Sequence, residues 1–269
     1  MSIKINQKRA GLIMDKENII LPRRLLVENY RQDITEPTCW LMQTNNQACR
    51  IHFQFGEESS TLTLSPDWHG ILVMNKINME IVSGSPSQQE LPLFALVKLQ
   101  VFIDESRRIS LKYDPLQHWD SIELNSDPLI ATCGDVERWR LSQNQVMPAQ
   151  MGMLASFLRR TEWYWLIRFL LNESISSGKI HELGARYGLS YSHFRRLCRN
   201  ALGNSAKSEL RGWRIARALL DVVEEGQSLT EVAMRYGYAS SSHLSNDIRD
   251  AFGVSPRGLW NIINKKLEK

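Results

Sequence analysis

Apolar side chains fall in short, closely spaced runs over the first third of this chain and at helical spacing over its last third. Between Leu12 and Val82, six runs rich in β-forming residues (25–30, 39–43, 50–55, 61–64, 70–74 and 77–82) alternate with polar or turn-prone stretches such as 44–47 and 56–60. Six short strands at that spacing predict a small sandwich or barrel. A loop is expected over 83–92, then helices over 93–103, 127–141 and 148–159, with a further strand at 107–112. Ser, Gln, Asn and Pro148 interrupt the pattern over 142–150, which places a domain boundary there. The expected fold class is α+β: residues 1–147 form an N-terminal regulatory or partner-binding domain with helices beside the β-structure, and residues 148–269 an all-helical domain.

The helical part repeats itself. Glu182-Leu183-Gly184-Ala185-Arg186-Tyr187-Gly188 recurs 49 residues later as Glu231-Val232-Ala233-Met234-Arg235-Tyr236-Gly237. Past the turn the offset becomes 50, so that Ser192-His193-Phe194, Arg199 and Gly203 align with Ser242-His243-Leu244, Arg249 and Gly253. A short helix, a glycine turn and a second helix, made twice, predict a tandem helix-turn-helix.

In the first unit Phe194, Leu197, Cys198 and Ala201 occupy one helical face and should be buried. The opposite face carries Ser192, Arg195, Arg196 and Arg199. Arginine pairs with guanine O6 and N7 in the major groove or clamps a phosphate, so this set suits a recognition helix. In the second unit Leu244, Ile248, Ala251 and Phe252 are the inward set, and Ser242, Ser245, Asn246 and Arg249 point outward. That face is poorer in charge, so the first unit should do more sequence reading and the second more backbone or water-mediated contact. A single amphipathic pair with a solvated basic side is commonplace. The duplication and the matched Tyr-Gly turns make DNA binding the better reading. Asp247 is anomalous, because the repeat puts it in the place of the buried Leu197. An unpaired buried carboxylate is costly, so Asp247 is expected to be partly exposed or paired with His243.

Between the units, residues 205–223 hold Leu210, Trp213, Ala216, Arg217 and Leu220 in helical period. A helix of about 19 residues spans roughly 28 Å, against about 34 Å between adjacent major-groove faces. A rigid connector could hold both recognition helices on one side of a duplex.

The two units, this connector and the closing Gly253-Val254-Ser255-Pro256 resemble the DNA-binding domain of the AraC/XylS transcription activators, over about residues 161–263. Tyr187-Gly-Leu-Ser-Tyr-Ser-His-Phe-Arg-Arg-Leu-Cys198, with Ala201-Leu-Gly203, Ala206-Lys-Ser-Glu-Leu-Arg211 and Trp213-Arg214, is similar to the InvF-type subgroup, the activators of type III secretion genes. Departures from the broad family are Ala206 for the usual proline, Glu209 where an aromatic is frequent, and Trp260-Asn261 for an aromatic-arginine pair. The resemblance implies a cupin-like N-terminal barrel, promoter DNA and RNA polymerase as partners, and a tetratricopeptide secretion chaperone as coactivator. It equally leaves open a small-molecule receptor controlling a metabolic operon. The helices at 93–103 and 127–141 are candidates for a self-association or partner surface, with a homodimer one outcome, and their apolar residues equally suit packing on the barrel.

Charge agrees with this division. The 269 residues carry a net +4, but from Met151 onward 18 Lys and Arg face 11 Asp and Glu, whereas the first 150 residues hold 15 against 18. The C-terminal part is the polyanion-binding part. Cys39, Cys49, Cys133 and Cys198 form no Cys-x-x-Cys motif, which fits reduced thiols and a cytoplasmic protein. No apolar signal core or membrane-length run is present. A cupin-type metal site needs clustered histidines, whereas His52, with Glu57 and Glu58 nearby, His69 and His118 stand apart. Without a phosphate-binding glycine loop, a nucleophile elbow or paired carboxylates, neither enzyme activity nor a cofactor is expected. Trp40, Phe53, Phe55 and Trp68 could line a ligand pocket, although aromatics on strands are more often plain core.

Overall fold

The computed structural model describes residues 20–109, 118–174, 180–224 and 227–259. Two compact units divide the chain, one ending at Trp165 and the other running from Leu166.

In the first unit two antiparallel sheets enclose one core. The five-stranded sheet runs in the order β1 (Arg23–Leu25), β8 (Ser87–Leu91), β3 (Thr38–Gln43), β6 (His69–Met74), β9 (Trp119–Glu123). The four-stranded sheet runs β2 (Arg31–Ile34), β7 (Ile77–Ser83), β4 (Cys49–Phe55), β5 (Glu58–Leu64). Trp40, Met42, Leu72 and Met74 from the first sheet meet Ile51, Phe53, Met79 and Ile81 from the second. On β4 the inward residues Cys49, Ile51 and Phe53 alternate with Arg50, His52 and Gln54, the pattern of a sheet with one wet face. The middle of β3 and most of β6 are buried on both faces, since Cys39, Leu41, Ile71 and Val73 are as inaccessible as their neighbours. This is the expected α+β class with a β-sandwich at the N-terminal end. Trp40, Phe53 and Trp68 fill its core, where Phe53 stacks on Trp119 at 4.6 Å.

Three strand expectations differ. Residues 25–30 are not one strand: β1 ends at Leu25, and the chain turns through Asn29 at φ 64° into β2. The expected loop at 83–92 holds β8, whose Ser-Gln-Gln-Glu-Leu has little β-propensity but fills the place between β1 and β3. Its buried Gln89 donates through Nε2 to the carbonyls of Leu21 and Ile130, both at 2.7 Å. Residues 107–109 form no strand, and 110–112 lie outside the described residues.

The helices are α1 (Leu93–Ser106), α2 (Cys133–Val146) and α3 (Pro148–Arg159). α2 starts later than residue 127 because Thr132 and Asp135 form a reciprocal capping box. Pro148 opens α3 at a position where the missing N–H costs nothing, and does not mark a linker. With Met151, Leu154, Phe157 and Leu158 buried, α3 packs on α1, α2 and β9. The division between units therefore falls inside α4 (Glu162–Glu173), beyond the interruption at 142–150.

Candidate nucleic-acid interface

The second unit contains α5 (Ile180–Tyr187), α6 (Tyr191–Leu202), α7 (Ala206–Glu224), α8 (Leu229–Arg235) and α9 (Ser241–Phe252). The pairs α5/α6 and α8/α9 are the two helix-turn-helix motifs. Each turn passes through a glycine in the left-handed region, Gly188 at φ 85° and Gly237 at φ 70°, where a side chain would be strained.

The crossings inside the two motifs pair a small residue with a large one in compensating ways. A Cβ on Gly184 would come within 3.2 Å of Phe194, so the bare glycine lets α5 ride directly on that ring. At the equivalent crossing the smaller Leu244 stands on α9 and Ala233 takes the glycine's place. The larger side chain faces the glycine and the smaller one faces the alanine, a compensation in direction that suits close packing in both motifs.

On α6, Phe194, Leu197, Cys198 and Ala201 are buried, and Ser192, Arg195, Arg196 and Arg199 are all exposed on the other side, as the spacing requires. Tyr191 and His193 extend the exposed surface at the start of the helix. Burial lifts the Cys198 thiol to about 12, so it is an inert apolar filler. On α9, Ser242, Asn246 and Arg249 are exposed, and Leu244 and Ile248 are buried. Ser245 is half-buried and turns its hydroxyl back to donate to the Ser241 carbonyl at 2.8 Å.

Some inward positions are corrected. Phe252 is half exposed and not part of the inward set. Asp247, expected to be partly exposed or paired with His243, is instead buried, and its hydrogen-bonded charge partner is Arg211 on α7, whose Nη2 donates to its Oδ1 at 2.7 Å. Burial raises the Asp247 carboxyl, but the Arg211 guanidinium, with smaller contributions from His243 and Tyr238, outweighs it and holds the carboxyl below its ordinary value. The connector α7 has the expected 19 residues, yet its buried side chains include Ile215, Ala218 and Leu219, while Ala216 and Leu220 are exposed. It packs against α6 and also against α8 and α9, so no single stripe describes it.

A second pair of matched contacts was not read from the sequence. Arg186 at the end of α5 forks onto both oxygens of Glu173 on α4, at 2.5 and 2.7 Å. Its repeat counterpart Arg235 donates to Asp221 on α7 at 2.9 Å, and the Tyr236 hydroxyl donates to the same carboxylate at 3.0 Å. Each motif is thus pinned to the helix before it. The signal was present as the spacing of 48 between Glu173 and Asp221, close to the 49 of the arginines.

The chemistry available here is that of polyanion binding. Two exposed helix faces, one rich in arginine, are carried on helices fixed by apolar cores and ion pairs. A family model described as a helix-turn-helix domain matches residues 183–260. The invasion protein InvF of Salmonella typhi is 40% identical over 182 residues, which cover 68% of this chain and 84% of that protein. The chain belongs to the InvF-type AraC regulators. The transcriptional regulator MxiE of Shigella flexneri is 42% identical over 120 residues, 42% of this chain and 57% of that protein. The solved structure of ToxT from Vibrio cholerae is 9% identical with a TM-score of 0.34, covering 90% of this chain and 98% of that one.

Like its relatives, this InvF-type protein is a DNA-binding transcriptional regulator. Among the described residues, no group of three or more His, Cys, Asp or Glu is placed to hold a metal ion, and none of the four buried cysteines is in a disulfide. No described helix is long and apolar enough to cross a membrane.

Proposed function

We propose that the protein activates type III secretion genes in the cytoplasm by binding promoter DNA with α6 and α9 in successive major-groove faces. Arg195 and Arg196 read bases with Ser192 beside them, Arg199 and Arg249 clamp phosphates, and Ser242, Ser245 and Asn246 add backbone or water-mediated contacts. The first unit receives a tetratricopeptide secretion chaperone as coactivator, and the DNA-bound protein engages RNA polymerase, with homodimer formation as a further element of control. The observation that carries this reading is the match to InvF over 84% of its length, combined with an exposed arginine face on α6. The filled sandwich core favours a protein partner over a small ligand, because Trp40, Phe53 and Met42 occupy the space that a ligand would need.

A reporter strain carrying the cognate promoter tests it. Transcription should require both the protein and the co-expressed chaperone. Full activation without any chaperone, dependent on an added metabolite, would replace this reading with the small-molecule receptor.

A further inference from the structure

The two helix-turn-helix motifs solve one packing position in opposite ways. Residue 197 on α6 is a buried leucine, and 50 residues later α9 presents Asp247, which is only 7% exposed. Its counterion is supplied by the connector: Arg211 Nη2 lies 2.7 Å from Asp247 Oδ1 and 3.5 Å from Asp250 Oδ2. Tyr238 stands beside the pair, with the Arg214 guanidinium over its ring at 5.2 Å and the His243 ring at its edge at 5.3 Å.

We propose that Arg211 is a positioning residue for DNA binding, seating the second recognition helix through Asp247 and offsetting the two carboxylates that this helix carries. The inference rests on α9 being a DNA-contacting helix and adds a group outside both recognition faces.

The energetics of the pair are unequal. The Arg211 side chain is 46% exposed and the Asp247 side chain 10%. Without Asp247, the guanidinium keeps water and Asp250. Without Arg211, a buried carboxylate loses its charge partner, and the cheapest relief is for α9 to move until the carboxylate reaches solvent. Removing the more exposed member should therefore do more damage than removing the buried one. The first motif also shows the apolar alternative, so leucine at 247 should make Arg211 dispensable.

The test uses the full chain and a duplex selected by the wild-type protein from a random-sequence pool. Hydroxyl-radical footprinting should show two protected clusters about one helical turn apart. Arg211→Met should weaken binding about tenfold and lose one cluster while keeping the other, which shows that the protein is still folded. Asp247→Leu should change affinity by less than about threefold, and Arg211→Met combined with Asp247→Leu should restore the second cluster and the log K against log salt slope. If Arg211 instead contacts a phosphate directly, the double variant stays weak with its slope flattened by about one unit, which overturns the proposal. A wild-type footprint from Arg211→Met also overturns it. A wild-type footprint with one cluster alone would remove α9 from the interface, and this inference with it.

Discussion

Replacing Asp104 by asparagine should destabilise the N-terminal unit by about 3 kcal/mol. Asp104 sits on α1 with its side chain fully inaccessible. One oxygen accepts from Arg159 Nη2 at 2.7 Å and Gln100 Nε2 at 3.0 Å, and the other from Arg159 Nε and the Tyr164 hydroxyl, both at 2.8 Å. Gln100 in turn accepts from the buried Arg140 at 2.8 Å, so the node ties α1, α2, α3 and the start of α4 together. Breaking a buried ion pair costs about 3–5 kcal/mol. Because the Arg159 side chain is 26% exposed and regains some water, the low end applies, about 3 kcal/mol. For a protein of this size that is roughly 6–12 °C in Tm.

The pH dependence follows from the same contacts. Burial raises the Asp104 carboxyl, but Arg159, Tyr164 and Gln100 outweigh it and hold its pKa below the ordinary value. The stabilisation is therefore complete above the unfolded pKa of about 4 and disappears as pH falls through the lower folded value. Thermal scans and amide exchange over α1–α3 from pH 7 to pH 3 should show wild type and Asp104→Asn converging in acid. A gap under about 1 kcal/mol at pH 7 would mean that the node is idle, and a gap that persists unchanged at low pH would assign the loss to packing and not to charge.

If α6 reads bases as proposed, Arg195→Ala or Arg196→Ala should cost about 1–3 kcal/mol in specific binding and relax the preference at one base position in at least one case; mobility-shift titration against operator variants checks it. Arg199→Ala and Arg249→Ala should weaken binding about equally across sequences and flatten the salt slope by about one unit each, so a base-specific loss at constant slope would reverse their assigned role. Gly70→Ala should cost at least about 3 kcal/mol, because its Cβ would lie 2.4 Å from the Ile122 carbonyl and the Trp68 ring; a thermal scan showing near-wild-type stability would contradict the packing of β6 against β9.

What the chain declares on its own is whatever a turn or two of backbone can encode. The buried and exposed faces of α6 follow from side chains three and four residues apart, and the turns at Gly188 and Gly237 from a φ that other residues avoid. The strands from β3 to β7 follow from their own apolar runs, except the start of β5 at Glu58–Ser60, which pairing with β4 extends into the stretch expected to turn. The charge contrast between the halves needs no structure at all. Contacts between distant segments decided the rest. β8 is a strand because β1 and β3 leave hydrogen-bonding edges on either side of it, not because Ser-Gln-Gln-Glu-Leu favours extension. Asp247 is tolerated in a core because Arg211, 36 residues earlier, folds beside it. The connector's face is set by two sets of neighbours at once, and the division inside α4 by which residues pack on α1 to α3. A local pattern states a preference of well under 1 kcal/mol per residue, whereas a vacant sheet edge or an unpaired buried charge is worth several times that. Where the two disagree, tertiary structure prevails.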